Sequence, residues 1–310
     1  MHIVQFMNRL SRTDRAQILR MLVEGQSLRA TARLADVSLN TVMKLLADAA
    51  PVASAIQDRM FRNLNTKRLQ CDEIWAFVGA KDKTIERNAS HGKETHGDGS
   101  VWTWTAIDAD TKLIPSFMVG SRDAGAAKVF MNDLASRLKN RVQLTTDGHG
   151  AYLVAVDDAF GLDIDYAMLI KHYGPSGDPA SPSRRYSPGE CTGTEKRRIT
   201  GGPDEAHINT SYVERANLSI RMGNRRFTRL TNAFSKKIEA HAASLALYFF
   251  HYNLCRIHKT LRVTPAMEAK VTDRVWDMEE LVAEMETLEA ERAAAAPVKP
   301  GRKKKAPDSN

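Results

Sequence analysis

Leu69-Gln70-Cys71-Asp72-Glu73-Ile74-Trp75-Ala76-Phe77-Val78-Gly79 is a run of β-branched, aromatic and small apolar residues that ends on a glycine, the pattern of a strand. Alternate side chains of a strand share a face, so Asp72 lies with Ile74, Ala76 and Val78. An unpaired carboxylate on so apolar a face is costly, and a metal ion or a basic partner would relieve it. Working outward, residues 101–108 and 113–120 are runs of the same kind between turn-prone segments, and the three read as consecutive antiparallel strands. Residues 124–139 have helical spacing with Val129, Phe130, Leu134 and Leu138 on one side, 141–146 return to strand, 149–160 read as helix and 163–170 as strand. Three strands followed by alternating helix and strand give a mixed α/β sheet with flanking helices.

Before the sheet, residues 13–49 carry apolar positions at helical spacing in three segments, interrupted at Gly25 and Ser27 and again at Asp36-Val37, with Ser38 placed to cap the third. This predicts a small all-α helix-turn-helix domain over residues 1–52, its last helix presenting Asn40, Thr41 and Lys44 to a DNA major groove. The alternative is a helical bundle used for packing. Pro51 is expected to close the module, with 53–66 as a connecting helix or linker.

After the sheet, residues 173–206 hold five of the eleven prolines and six of the eighteen glycines, with basic and acidic residues in equal number. A long loop insertion is expected there. Residues 208–220 and 233–252 read as helices, and Thr264-Pro265 is an N-cap and first-turn pair. Over 269–296 the spacing of Val271, Val275, Met278, Val282, Met285 and Leu288 predicts an amphipathic helix, either of coiled-coil type or packed back on its own domain. Residues 297–310, with Arg302, Lys303, Lys304 and Lys305, read as a solvated basic tail.

The 310 residues are 43% hydrophobic, enough to bury a core of ordinary size. A formal net charge of +8 and a sequence pI near 9.4 fit a polyanion partner. Cys71, Cys191 and Cys255 are odd in number and far apart, which argues against a disulfide framework or a paired metal motif and for a reducing cytoplasm. The amino terminus has no apolar leader, and the longest greasy run, near Leu245 to Phe250, is too short to span a bilayer.

Two further carboxylates stand out. Asp147 leaves the strand at 141–146 just before Gly148, where sites gather in α/β sheets, although Asp-Gly alone is commonly a turn. Glu214, Asn217 and Arg221 lie at i, i+3 and i+7 on one helix face. From Arg215 to Lys237 there are seven basic residues and no acidic one: Arg215, Arg221, Arg225, Arg226, Arg229, Lys236 and Lys237. A solvated face usually mixes signs, so this segment favours a nucleic-acid backbone. Asp72, Asp147 and Glu214 supply the oxygen ligands that two Mg²⁺ or Mn²⁺ ions need for phosphodiester cleavage, with Arg221 placed to reach a flanking phosphate.

The segments Asp72-Glu73-Ile74-Trp75-Ala76-Phe77-Val78-Gly79, Thr146-Asp147-Gly148, His207 through Arg215 and Thr228 through Lys237 resemble bacterial transposases of the insertion sequence one family. Tyr252-Asn253 through Arg256, His258, Leu261, Thr264 and Pro265 resemble a pattern shared with other bacterial transposase families. The resemblance spans residues 67–268 and implies an RNase H-like catalytic domain with an Asp-Asp-Glu triad. By position the triad is Asp72, Asp147 and Glu214, using Mg²⁺ to nick element ends and join the freed 3′-hydroxyl to target DNA, with Arg221 matching a basic residue seven places after the glutamate. It also implies double-stranded DNA as partner, a homo-oligomer to hold two ends, and a bacterial cytoplasm. The chain departs from the family in the 67 positions from Asp147 to Glu214, a longer interval than usual, and in lacking paired cysteines for an amino-terminal zinc finger. A DNA-binding regulator or domesticated protein without transposition, and a stand-alone nuclease of the same fold, are the competing expectations.

Overall fold

A computed structural model describes residues 10–93, 99–174, 189–228 and 231–295. Its centre is a six-stranded mixed sheet in the order β3-β2-β1-β4-β5-β6. β1 (Arg68–Val78) pairs antiparallel with β2 (Gly99–Asp108), and β2 with β3 (Ser116–Gly120). β1 then pairs parallel with β4 (Gln143–Thr146) and β4 parallel with β5 (Asp165–Tyr173). Parallel neighbours need crossovers, and α5 (Ala124–Arg137) and α6 (Ala151–Phe160) supply them. Asp123 starts α5 by accepting from the amide of Ala126 at 2.8 Å.

The two faces of the sheet bury different sets. Leu69, Cys71, Trp104 and Tyr166 meet Phe130 of α5 and Tyr152 of α6 on one side. Ile74, Ala76 and Ile107 lie on the other under α7 (Ser211–Gly223) and α8 (Ile238–Phe250), with Val213, Ile220, Leu245 and Phe249. Val129, expected on the buried side of α5, is 62% exposed; Ala127 and Met131 take the inner positions with Phe130 and Leu134.

Three expectations change. The turn-prone stretch between the first two strands contains α4 (Asp82–Ser90). Within the expected loop 173–206, Cys191–Thr200 forms β6, antiparallel on the free edge of β5. Its β-prone Thr192, Thr194, Ile199 and Thr200 are flanked by the glycines and prolines that dominate the composition of the whole window. Residues 175–188 of that window lie outside the described residues. Finally, Pro51 does not end a helix.

α1 (Arg12–Val23), α2 (Leu28–Leu34) and α3 (Leu39–Met60) are each opened by a serine, Ser11, Ser27 and Ser38, accepting from Asp14, Ala30 and Thr41 amides. α3 passes through Pro51, so the boundary expected after residue 52 falls inside a helix and residues 53–60 of the expected linker are its last turns. An interior proline costs about 3 kcal/mol. The burial of Leu45, Leu46, Ala49, Ala53 and Ile56 along one side of α3 offsets it.

That buried side does not close on the first three helices alone. Ile18, Leu19, Leu45 and Ile56 share a core with Leu247 and Phe250 of α8 and with Leu281, Val282 and Met285 of α10 (Met278–Ala295). Arg12 and Arg15 of α1 both reach Glu286 of α10. The carboxy-terminal helix thus packs back on the amino-terminal ones. It begins at Met278, nine residues later than expected, because Thr264 and Pro265 cap only a short helix, α9 (Pro265–Glu268). Residues 1–9 and the basic tail 297–310 lie outside the described residues.

His241, on α8, is fully enclosed against Phe227 and beside Arg226. Burial, with Arg226 adding to it, lowers its pKa to about 4. Between pH 6.5 and about 4 the unfolded chain therefore takes up a proton that the folded chain refuses. The neutral ring's contribution is full above pH 6.5 and is lost as pH falls, by about 2 kcal/mol between pH 8 and pH 5. Urea denaturation at the two pH values should record this loss, and His241→Leu should remove most of it.

Candidate active site

β1 and β4 run side by side only from Arg68↔Gln143 to Cys71↔Thr146. β4 then ends while β1 continues, so Asp147 lands beside Asp72 at the point where the pairing stops. Ligand oxygens of Asp72, Glu73 and Asp147 lie within 4.8 Å of one another. Adjacent strand residues point to opposite faces, and Glu73 is not among the carboxylates that the sequence singles out. β4, an interior strand, stops short of its neighbour β1, and Asp147 at its end comes within reach of both Asp72 and Glu73.

Each carboxylate has its own surroundings. Asp72 Oδ2 accepts from Asn217 Nδ2 of α7 at 2.8 Å. Burial, then Asp147, Glu73 and Glu214, push its pKa up to about 7. Glu73 has no exposed side-chain surface; its Oε2 accepts from Arg122 Nε at 3.0 Å, and the buried hydroxyl of Tyr152 lies against the same carboxylate as a donor. Burial raises its pKa as well. Arg122 Nη2 stands 3.6 Å from Asp147 Oδ2, and its guanidinium lies 4.6 Å over the Trp102 ring. Arg122 comes from the turn between β3 and α5, and no sequence signal marked it.

Glu214 is close to this cluster but outside it. Its Oε1 accepts from Lys171 of β5 and from Thr210. Of the face predicted on α7, Asn217 is the residue whose hydrogen bond reaches the cluster, while Arg221 is half-buried one turn further on. The long interval before Glu214 does not keep α7 away, because α7 is tied to β1. Thr210 is engaged with Glu214 and leaves the helix start uncapped. Gln70 of β1, fully buried, caps it from outside: its Oε1 accepts from Tyr212 N at 2.9 Å and Val213 N at 3.1 Å, and its Nε2 donates to Asn209 Oδ1 at 2.7 Å. Gln70→Leu should leave two helix-start amides unpaired and cost about 1–2 kcal/mol, read as a lower urea midpoint.

The residues expected to contact DNA fall in two places. Asn40 and Lys44 are exposed on the first turns of α3, with Thr41 half-buried and its hydroxyl 2.8 Å from Ser38 Oγ. Arg225, Lys236 and Lys237 are exposed and, with Arg226 and Arg29, line an open cleft of about 1000 Å³ between the amino-terminal helices and α8. None of the cluster's carboxylates lines it. Arg226 is turned inward, donating to Ser235 Oγ at 2.9 Å, with burial lowering its pKa to about 10, so it is spent on the fold. Arg229 lies outside the described residues.

Three acidic side chains with only oxygen donors suit a hard divalent ion such as Mg²⁺ or Mn²⁺. The crowding of these three carboxylates within 4.8 Å, the enclosed Glu73 among them, is the observation that fits such an ion best. Among the described residues no helix is long and apolar enough to cross a membrane.

No family model and no curated protein matches the chain. Among solved structures, the chain is similar to the Mos1 strand transfer complex, with 16% identity, TM-score 0.23 and coverage of 53% of this chain and 60% of that one. It is also similar to a piggyBac transposase synaptic complex with hairpin DNA, at 10% identity, TM-score 0.33, 96% of this chain and 75% of that one. The chain thus spans about three fifths of the Mos1 chain it matches. At these values the likenesses do not bear on what the protein does.

Proposed function

We propose that the protein is a DNA transposase of the insertion sequence one type, cutting DNA at element ends and joining the freed 3′ ends to target DNA. The observation that carries the reading is the meeting of Asp72 and Asp147 where β4 stops, inside a basic chain. The mixed sheet with two crossover helices supports the RNase H-like assignment that the sequence resemblance implies.

Asp72 and Asp147 would hold the divalent ions, with Glu214 as the third ligand once its carboxylate leaves Lys171. Bound there, Mg²⁺ or Mn²⁺ would activate the attacking oxygen and stabilise the leaving alkoxide. Asn217 orients Asp72, and Gln70 fixes α7 so that Asn217 and Glu214 stay in reach. Arg221, Arg225, Lys236 and Lys237 would contact phosphates. Asn40, Thr41 and Lys44 would read the terminal inverted repeats, and two ends would be held by at least a dimer.

The test is a joining assay. A labelled duplex ending in inverted repeats, where the DNA flanking the gene carries them, incubated with the protein, Mn²⁺ and plasmid, should give both nicked ends and end-to-plasmid joints. Nicking without joints would replace the transposase with a stand-alone nuclease of the same fold. End binding with neither product would leave a DNA-binding regulator.

A further inference from the structure

Arg122 does more than neutralise one neighbour. Its Nε is committed to Glu73 Oε2 at 3.0 Å, its Nη2 faces Asp147 Oδ2 at 3.6 Å, and the flat side of the guanidinium rests on Trp102. One cation therefore sits against two of three carboxylates crowded within 4.8 Å, while the other nearby cation, Lys171, is engaged with Glu214. The third carboxylate, Asp72, has the neutral amide of Asn217. Glu73, which nothing in the triad uses, is enclosed and holds Arg122 with one oxygen, with the Tyr152 hydroxyl also against its carboxylate, and its oxygen lies within 4.8 Å of those of Asp72 and Asp147.

We infer that Glu73 is a further ligand of the metal site and that Arg122 is its resident counter-cation, displaced from Asp147 when a divalent ion enters. The inference rests on reading Asp72 and Asp147 as metal ligands. Arg122 offsets the repulsion between Glu73 and Asp147 before the ion arrives, and its charge opposes the ion's entry. The side chain is about one third exposed. Once released from Asp147 its planar fork is free to take a phosphate of the DNA, a role for which an ammonium is a poor substitute.

The test is Mn²⁺ binding to the purified, DNA-free chain, followed by the electron paramagnetic resonance of free Mn²⁺ at fixed pH and ionic strength. Arg122→Gln should bind Mn²⁺ about tenfold more tightly, and Arg122→Lys, which keeps the charge, should stay within about twofold of the unsubstituted chain. Glu73→Gln should weaken binding by about tenfold or more. Circular dichroism melts without metal check that each variant folds. Unchanged or weaker Mn²⁺ binding by a folded Arg122→Gln overturns the counter-cation role, and unchanged binding by Glu73→Gln overturns the ligand role. If Glu73→Gln does not fold, Glu73→Asp takes its place and should shift affinity by severalfold, an unchanged value again sinking the role. Asp72→Asn and Asp147→Asn serve as controls: loss of all Mn²⁺ binding in them upholds the metal site on which the inference stands, and retention shows that the metal-site reading has failed. Failure to cut DNA with these Mn²⁺ affinities intact would count against the transposase reading alone.

Discussion

Asp72→Asn is expected to slow DNA nicking and joining by about a thousandfold or more, and in metal-free buffer at pH 8 to make the protein more stable. The two effects have one cause. Asp72 is held between Ile74's apolar face and the carboxylates of Asp147 and Glu73, an arrangement that disfavours its charge and raises its pKa to about 7. An acid whose folded pKa exceeds its unfolded value costs stability as pH rises from the ordinary carboxylate range through that folded value, and the full cost is present above it. Removing the charge should recover on the order of 2 kcal/mol. The replacing amide can also face Asn217 Oδ1, which has no partner. Asp147→Asn should lose activity alike without the gain, since Asp147 is half exposed and already faces Arg122. Urea titrations with EDTA beside a nicking assay decide the matter. An Asp72→Asn protein that is less stable, or one that still nicks at an undiminished rate, would remove Asp72 from the centre of the site.

The sheet was legible because its signals are local. Strand runs, the crossover helices and the serine cap at Ser38 depend on residues within a few positions of each other, and each lies close to where the pattern put it. Asp72 and Asp147 were legible as a pair because a strand and a strand end in an α/β sheet favour one meeting place. What the sequence hid was relational. Glu73 joins Asp147 only because β4 ends at Thr146, and Arg122 lies 49 positions from the Glu73 it holds. Pro51 reads as a stop because the proline rule is local, whereas burial against α8, almost two hundred positions away, decides the helix. The Cys191–Thr200 strand was lost in the composition of its neighbours. Helices 1 to 3 carry the caps and spacing of a DNA-reading module, but their core is completed by α8 and α10, a fact no window over the first sixty residues contains.

Asn253→Leu should be the most destabilising of these single changes, at about 3–5 kcal/mol, because its amide is a fully buried junction between three elements. Tyr252-Asn253 opens the segment resembling other transposases, yet Asn253 is fully buried, within a π-helical turn, His251–Cys255, that continues α8. Its Oδ1 accepts from Ile114 N at 3.0 Å, and its Nδ2 donates to Ile114 O at 2.9 Å and to Gln57 Oε1 at 3.3 Å. Gln57 in turn donates to the carbonyls of Ala53 and Ala246. One amide thus ties the chain entering β3, the long helix α3 and the end of α8, the three bodies that share the core beneath the amino-terminal helices. Leucine fills the volume but pairs with none of these groups, leaving an amide, a carbonyl and a side-chain oxygen buried without partners. Gln57→Leu alone should cost less, because Asn253 keeps both of its bonds to Ile114. The double substitution should cost less than the sum of the two, since Gln57 Oε1 can be orphaned only once, with a coupling of about 1 kcal/mol. Urea midpoints of the four proteins measure this directly. An Asn253→Leu change below about 1 kcal/mol would mean that the clamp does not hold these elements.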